Sequence, residues 1–397
     1  MGRNVPQLRF PEFTAEWEEK TLRGICDIKM CKRVMKHDTA PTGEIPFFKI
    51  GTLGGEPDAY ISRALFEELK TKYNYPLTGE VMMTCSGTTG NCIQFDGEDS
   101  YYQDSNIVWV SNDEKIYNND FLYHFFKQYK WNALEGGTIK RIYTNDIYNA
   151  NIPTPCKKEQ EKISQFLSKY DKLIRNQEEK ISALKERKQG LLKKIFTQQV
   201  RFKDQDGNDY PAWEEKTLGD ICTVYDGTHQ TPNYVDSGIK FVSVENIDNI
   251  YKSNKYITEN AFEKEFKVYP ERGDILITRI GDIGTPALVT KDEKIAYYVS
   301  LALFKNIGNG INAEYLLQYI GSNKFKRELW LRTLHTACPM KINKGDIADC
   351  VVYCPCEQEQ KKIAEVLSAF DKKIEIEQEI LSNMQEFKKG LLQKMFI

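Results

Sequence analysis

Along two stretches of this chain apolar residues recur at alternating spacings of three and four. The first row is Leu167, Tyr170, Ile174, Gln177, Ile181, Leu184, Lys188, Leu191 and Ile195. The second is Leu367, Phe370, Ile374, Glu377, Leu381, Met384, Lys388, Leu391 and Met395. A seam sustained over four heptads with charges on the other faces predicts two long coiled-coil helices. A 42-residue helix would span ~60 Å. The two can pair with each other, antiparallel, and the polar seam residues Gln177, Lys188, Glu377 and Lys388 would help fix register.

The two stretches are copies. Residues 155–196 align without a gap on 355–396, with twenty of 42 positions identical, so the chain is read first as a repeat. Both begin Pro-Cys, continue Glu159-Gln160 or Glu359-Gln360, and close Lys-x-Gly-Leu-Leu-x-Lys-x-Phe. The regions before them repeat too. Leu8-Arg9-Phe10 and Trp17-Glu-Glu-Lys-Thr-Leu22 return as Val200-Arg201-Phe202 and Trp213-Glu-Glu-Lys-Thr-Leu218.

Between these marks the pattern shifts to short apolar runs, which predict strands at Ile45–Ile50, Ile107–Val110, Ile239–Val244 and Ser300–Phe304. Helices are expected at Ser62–Thr71, Asn119–Trp131, Thr258–Val268 and Asn312–Leu331. A shared phrase, Gly79 to Gly90 and Gly273 to Gly284, reads as a buried strand entering a Gly-x-x-Gly turn. Such a turn serves either as a plain connection or as a close approach to phosphate. The expected fold class is α/β (α+β) with a pseudo-twofold internal repeat. The expected division is 1–154, a long helix over 155–197, 198–354, and a second helix over 355–397, with Asp204–Pro211 a turn-rich link.

Composition narrows the function. The net charge of −2 argues against indiscriminate binding to nucleic acid. The first helical stretch, Lys157 to Lys194, carries twelve basic and six acidic residues, whereas Glu357 to Lys394 carries seven and eight. Any DNA affinity elsewhere must therefore come from local patches. No apolar run of about 18 residues predicts a membrane span, and the start has no signal core, which points to the cytoplasm. Ten cysteines without Cys-x-x-Cys pairs read as reduced thiols rather than disulfides or a zinc site.

No methyltransferase or Walker A phrase occurs. Asp58, Glu68 and Lys70 resemble the carboxylate–lysine set of metal-dependent nucleases, but the second half lacks the carboxylates at the aligned positions. What remains are polar and basic groups suited to base edges and phosphates: Lys32, Arg33, Lys36 and His37; Thr84, Ser86 and Thr88 in the glycine turn; Lys140 and Arg141. In the second half they are Thr228, His229, Gln230, Thr231 and Asn233, with Arg279 and Lys341.

The duplicated Pro-x-x-x-Glu-Gln helix with its Lys-x-Gly-Leu-Leu ending resembles the specificity (S) subunit of type I restriction–modification enzymes. The Gly-x-x-Gly phrase and Gly227-Thr-His-Gln-Thr-Pro232 also look like that family's target-recognition domains. The resemblance covers essentially the whole chain. It implies two target-recognition domains separated by two long helices forming an antiparallel coiled coil, with Leu167, Tyr170, Ile174, Ile181, Leu184, Leu191, Leu367, Phe370, Ile374, Leu381, Met384 and Leu391 in the seam. It further implies a non-catalytic subunit reading an asymmetric bipartite site in double-stranded DNA. Two methyltransferase (modification) subunits would dock on the coiled coil, with restriction subunits joining where cleavage occurs. S-adenosylmethionine and ATP/Mg would belong to those partners, and this chain would hold no cofactor and no metal. A free-standing coiled-coil adaptor is the alternative.

Overall fold

The computed structural model describes residues 5–131 and 141–396. The chain divides into two compact units: Met1–Glu178 together with Glu379–Ile397, and Glu179–Gln378. Each unit thus holds one globular domain, the first half of one long helix and the second half of the other.

In the first unit a four-stranded antiparallel sheet runs in the order Asp27–Lys29, Ile107–Ser111, Val81–Thr84, Cys92–Gln94. A three-stranded sheet runs Tyr60–Ile61, Ile45–Phe48, Tyr101–Tyr102, with the last pair parallel. The strand Val81–Thr84 is buried on both faces. Val81, Met83, Val108 and Val110 pack with Phe121 and Phe125 of the helix Asn119–Gln128. Met82, Ile107 and Trp109 pack with Phe47, Phe66 and Tyr101. Apolar side chains are needed on both faces, so these strands read as unbroken runs rather than alternations.

The second unit repeats the plan. Its four-stranded sheet is Thr223–Asp226, Leu301–Lys305, Ile275–Thr278, Pro286–Leu288. Its three-stranded sheet is Tyr256–Ile257, Ile239–Val242, Ile295–Tyr297. Helix caps repeat as well: Ser62 and Thr258 accept from Leu65 N and Ala261 N, and Asn118 and Asn312 from Phe121 N and Tyr315 N. Each such cap contributes ~1 kcal/mol. The helix expected over Asn312–Leu331 is two, Ala313–Ile320 and Asn323–Arg332. Gly321 ends the first and Ser322 caps the second, its hydroxyl accepting from Phe325 N. The helix expected to reach Trp131 stops at Gln128.

The long helices span Lys157–Phe196 and Glu357–Met395. Within each unit their segments lie antiparallel. In the first, Asp171 pairs with Lys388, and Tyr170 meets Phe387 at 5.7 Å. In the second, Lys188 pairs with Asp371 at 2.6 Å and Lys180 with Glu377 at 2.6 Å. Leu167, Ile174, Ile181, Leu184, Leu367, Ile374 and Leu391 are buried, while Tyr170, Leu191, Phe370, Leu381 and Met384 are half-buried.

The repeated motifs are the fastenings between helix and domain. The first domain strand, Glu18–Thr21, pairs with the last, Asn151–Thr154, immediately before the helix, and Glu214–Thr217 pairs likewise with Val351–Cys354. Glu159, almost fully buried, takes two hydrogen bonds from Arg9, at 2.7 and 2.8 Å. Glu359 takes Arg201 at 3.2 and 2.6 Å and the Trp213 indole at 2.9 Å. Gln160 donates to Pro155 O and Ile116 O and accepts from Asn118 N; Gln360 does the same with Pro355 O, Gly310 O and Asn312 N. At the other helix end Phe396 enters the first domain's core beside Phe121 (5.3 Å), and Phe196 enters the second's beside Tyr319 (5.1 Å). Burying one such ring contributes ~1.5–3 kcal/mol.

Candidate nucleic-acid interface

The two loops singled out in the sequence occupy the same place in their units. Each connects the first strand of the four-stranded sheet to the first strand of the three-stranded sheet, between Lys29 and Ile45 and between Asp226 and Ile239. Their ends are held alike, by the bridges Ala40↔Tyr60 and Val235↔Tyr256.

In the first unit one turn meets this loop and joins it to two further segments. The turn Gln103–Asn106 accepts Arg33 Nε on Asp104 at 2.7 Å, Ser86 Oγ on Asn106 at 2.9 Å, and Arg141 Nη2 on Ser105 O at 3.3 Å. Ser86 and Arg141 also face each other across a bridge, so the glycine turn, the Gln103–Asn106 turn and the segment at Arg141 form one surface. Thr88 donates to Ile50 O at 3.2 Å. Lys32, Lys36 and His37 are exposed on the loop, with Lys32 over the Tyr73 ring and His37 beside Asp38. A cleft of about 490 Å³ opens there, with Arg33, Lys36, Lys49, Gln103 and Asn106 in its lining. Lys140 lies outside the described residues.

The second unit assembles the same four segments. Thr228 bridges Tyr298, and Ile280 in the glycine turn bridges Lys341. His229, Gln230, Thr231, Asn233 and Lys341 are exposed. The glycine that opens this loop is required by packing: a Cβ on Gly227 would lie 2.5 Å from the Tyr298 carbonyl oxygen. Thr228 Oγ1 accepts from Gln230 N at 3.3 Å, which folds the loop on itself.

Two candidates are corrected. Thr84 is fully buried; its hydroxyl donates to Thr88 O and accepts from Asn91 N, closing the turn from within. Thr278 does this in the second unit, accepting from Thr285 N at 2.9 Å. Arg279 is 6% exposed, its guanidinium spent on Ile342 O and on Asp226. Thr84 is thus closed off within the unit, and two of the three Arg279 guanidinium nitrogens are committed inside it. The glycine turns are hairpin connections, with Gly87, Gly90, Gly281 and Gly284 all at positive φ, where a Cβ is disfavoured.

Lys49, Gln103 and Asn106 were missed by sequence reasoning. They lie far from the loop in sequence, and the one available signal was the polar run Gln103-Asp-Ser-Asn106 between two apolar strands. Asp58, Glu68 and Lys70 do not converge: they pair with Lys49, Lys72 and Asp99 respectively. Among the described residues no cluster of His, Cys, Asp or Glu could hold a metal ion. Cys350 and Cys354 are buried, which pushes their thiols up to about 12 and about 11. Among the described residues no helix is long and apolar enough to cross a membrane.

Two domains of one plan, each fastened to segments of two long helices, define the architecture. The chain belongs to the family described as the type I restriction modification DNA specificity domain, which it matches twice, over residues 14–186 and 211–386. Its role is that of the non-catalytic DNA-recognition subunit of a type I restriction–modification system. Over 146 residues it is 51% identical to the Haemophilus influenzae protein named "Putative type I restriction enzyme specificity subunit S.HindORF215P". That match spans 37% of this chain and 38% of the relative. Over 305 residues it is 24% identical to the type I restriction enzyme MjaVIII specificity subunit of Methanocaldococcus jannaschii, covering 72% of each. The fold is similar to the type I restriction–modification S subunit from M. genitalium, with TM-score 0.60 and 17% identity over 99% of both chains.

Proposed function

We propose that this chain reads an asymmetric bipartite DNA target, one part by each unit, and docks two methyltransferase subunits on its paired helices. The observation that carries this reading is the pair of equivalent loop surfaces with unlike side chains. The first offers Lys32, Arg33, Lys36 and His37; the second offers Thr228, His229, Gln230, Thr231 and Asn233. Arginine and lysine suit guanine edges and phosphates, whereas glutamine and asparagine suit adenine. Two frames of one design with different donors and acceptors would select different half-sites. Arg141 and Lys341, beside the glycine turns, would hold the backbone while the loops face the bases.

Docking on the helices is supported by apolar side chains left in the open on them, Leu173, Ile376, Ile380 and Phe387, all more than 40% exposed. S-adenosylmethionine and ATP/Mg would act on the partners, and restriction subunits would join for cleavage. The test is co-expression with a type I methyltransferase subunit, followed by mapping of modified adenines. The expected result is one two-part pattern with unlike halves. No complex, or methylation without a two-part pattern, would refute it, and an adaptor acting without DNA would assemble and leave the DNA unmethylated. Removing a matched heptad from both helices should change the unread spacer while both half-sites stay fixed.

A further inference from the structure

We propose that Trp330 and the exposed face of the helix Asn323–Arg332 form a further DNA-contacting surface of the second unit, with Trp330 as an apolar wedge between flanking cations. The inference rests on the function proposed above and extends it to a segment outside the loops. Trp330 is 62% exposed, and Leu331, Leu334 and Met340 stand exposed around it. Exposed large apolar groups gathered in one place mark a binding surface.

The charge of the segment says what binds. Residues 323–344 carry six lysines and arginines against the single acid Glu328, in a chain whose net charge is −2. Arg332 is spent on Glu328 at 2.6 Å, and Lys324 lies over the Tyr353 ring. Lys326 and Arg327 remain exposed one turn before Trp330 and Leu331, on the same helical face. A cationic turn followed by an aromatic turn fits a duplex, with phosphates on the first and a base step or deoxyribose against the second.

The surface is continuous with the candidate interface. After the helix the chain folds back through the bridge Leu334↔Lys341, and Gly281 N donates to Met340 O at 2.9 Å. Trp330, His335, Met340 and Lys326 thus share a cleft of about 270 Å³ with Gly281 and Asp282 of the glycine turn. The His335 ring sits 4.8 Å from Trp330, and its Nε2 lies 2.9 Å from Trp330 O, which fixes the wedge beside the turn.

The test uses the full chain assembled with its methyltransferase subunits and a 30-bp duplex bearing the site found by methylation mapping. Trp330→Ala should weaken binding roughly tenfold, the scale of a single aromatic–base stack. Its protection footprint should shrink on one half-site only, and Trp330→Phe should retain most of the affinity. Lys326→Gln with Arg327→Gln should reduce the slope of log K against log salt by about 0.9 for each phosphate no longer neutralised. Unchanged affinity, footprint and salt slope in these variants, with wild type binding its site, would overturn the inference and leave the function standing. Failure of Trp330→Ala to capture the methyltransferase in the absence of DNA would also overturn it, assigning the patch to a protein partner. No site-specific binding by wild type would overturn the proposed function and this inference together.

Discussion

Glu359 offers the sharpest stability test of how a helix is fastened to its domain. Its side chain is fully buried and accepts three N–H groups: Arg201 Nε at 3.2 Å, Arg201 Nη2 at 2.6 Å and Trp213 Nε1 at 2.9 Å. Glu359→Leu removes the acceptor and leaves the guanidinium with Pro211 O alone, while the indole N–H loses its partner. Stranding a fully buried charge costs about 3–5 kcal/mol, but the Arg201 side chain is 23% exposed to water, so Glu359→Leu should cost less, about 1–3 kcal/mol for the acceptors it removes. Arg201→Met should cost the larger amount, about 3–5 kcal/mol, since it strands the fully buried carboxylate. Arg201→Met with Glu359→Leu should cost much less than the sum, since no buried charge is left; about 1–3 kcal/mol would remain for the indole. The cycle is read by urea unfolding of the full chain, followed by tryptophan fluorescence, with the transition of each unit fitted separately. Glu357→Ala is the control, because its pair with Lys361 is open to water, and no measurable change is expected there. If Glu359→Leu shifted stability by under about 1 kcal/mol, or the two single changes were additive, the Glu-Gln motif would not be the fastening of helix to domain.

Three other outcomes follow. Burial pushes His124 down to about 4; the Asp171 and Asp120 carboxylates oppose it by favouring the charged form, and Lys388 and Lys127 add to it. The native state holds this imidazole neutral while the unfolded chain binds a proton below about 6.5, so stability falls as pH drops from 6.5 toward 4, by about 3 kcal/mol. Gln318 fills the matching place in the second unit, donating to Asp371 at 2.8 Å, so His124→Gln should flatten the pH dependence seen by denaturant titration; an unchanged slope would refute the assignment. Gly190 and Gly390 lie inside helices where a Cβ would meet nothing within 4 Å, so Gly390→Ala should raise stability by up to about 1 kcal/mol, read as a higher Tm. Phe396→Ala should cost about 3–5 kcal/mol in the first unit, because the ring is 4% exposed against Phe121 and Phe125.

The long helices were legible because a seam of period 3.5 is a local property, and their duplication made the signal double. The unit boundaries were not legible. The expected four-part division separates domains from helices, while the compact units group each domain with half of each long helix, the change falling within the helices near Glu178 and Gln378. Packing between segments some 200 residues apart in the chain decides that, and no window of sequence shows it. The break at Gly321-Ser322 was a local signal overlooked inside an apolar run. For the interface, residue type located both loops but could not tell an exposed cation from a committed one. Arg279 and Arg33 look alike in sequence, yet one is enclosed by Asp226 and Ile342 O while the other is 65% exposed beside Asp104. The role of Glu159 and Glu359 was likewise hidden, since Arg9 stands 150 residues from the first and Arg201 158 from the second.

The central claim is that each unit reads its own part of the target through the loop between its two sheets. The direct measurement replaces residues 228–233 with the corresponding loop of a family member of different specificity, keeps residues 1–178 unchanged, and maps methylated adenines after co-expression with the methyltransferase subunit. The account predicts that one half of the two-part pattern changes while the other half and the spacer stay as they were. A pattern unchanged in both halves by a chain that still assembles, or one altered in both, would contradict it.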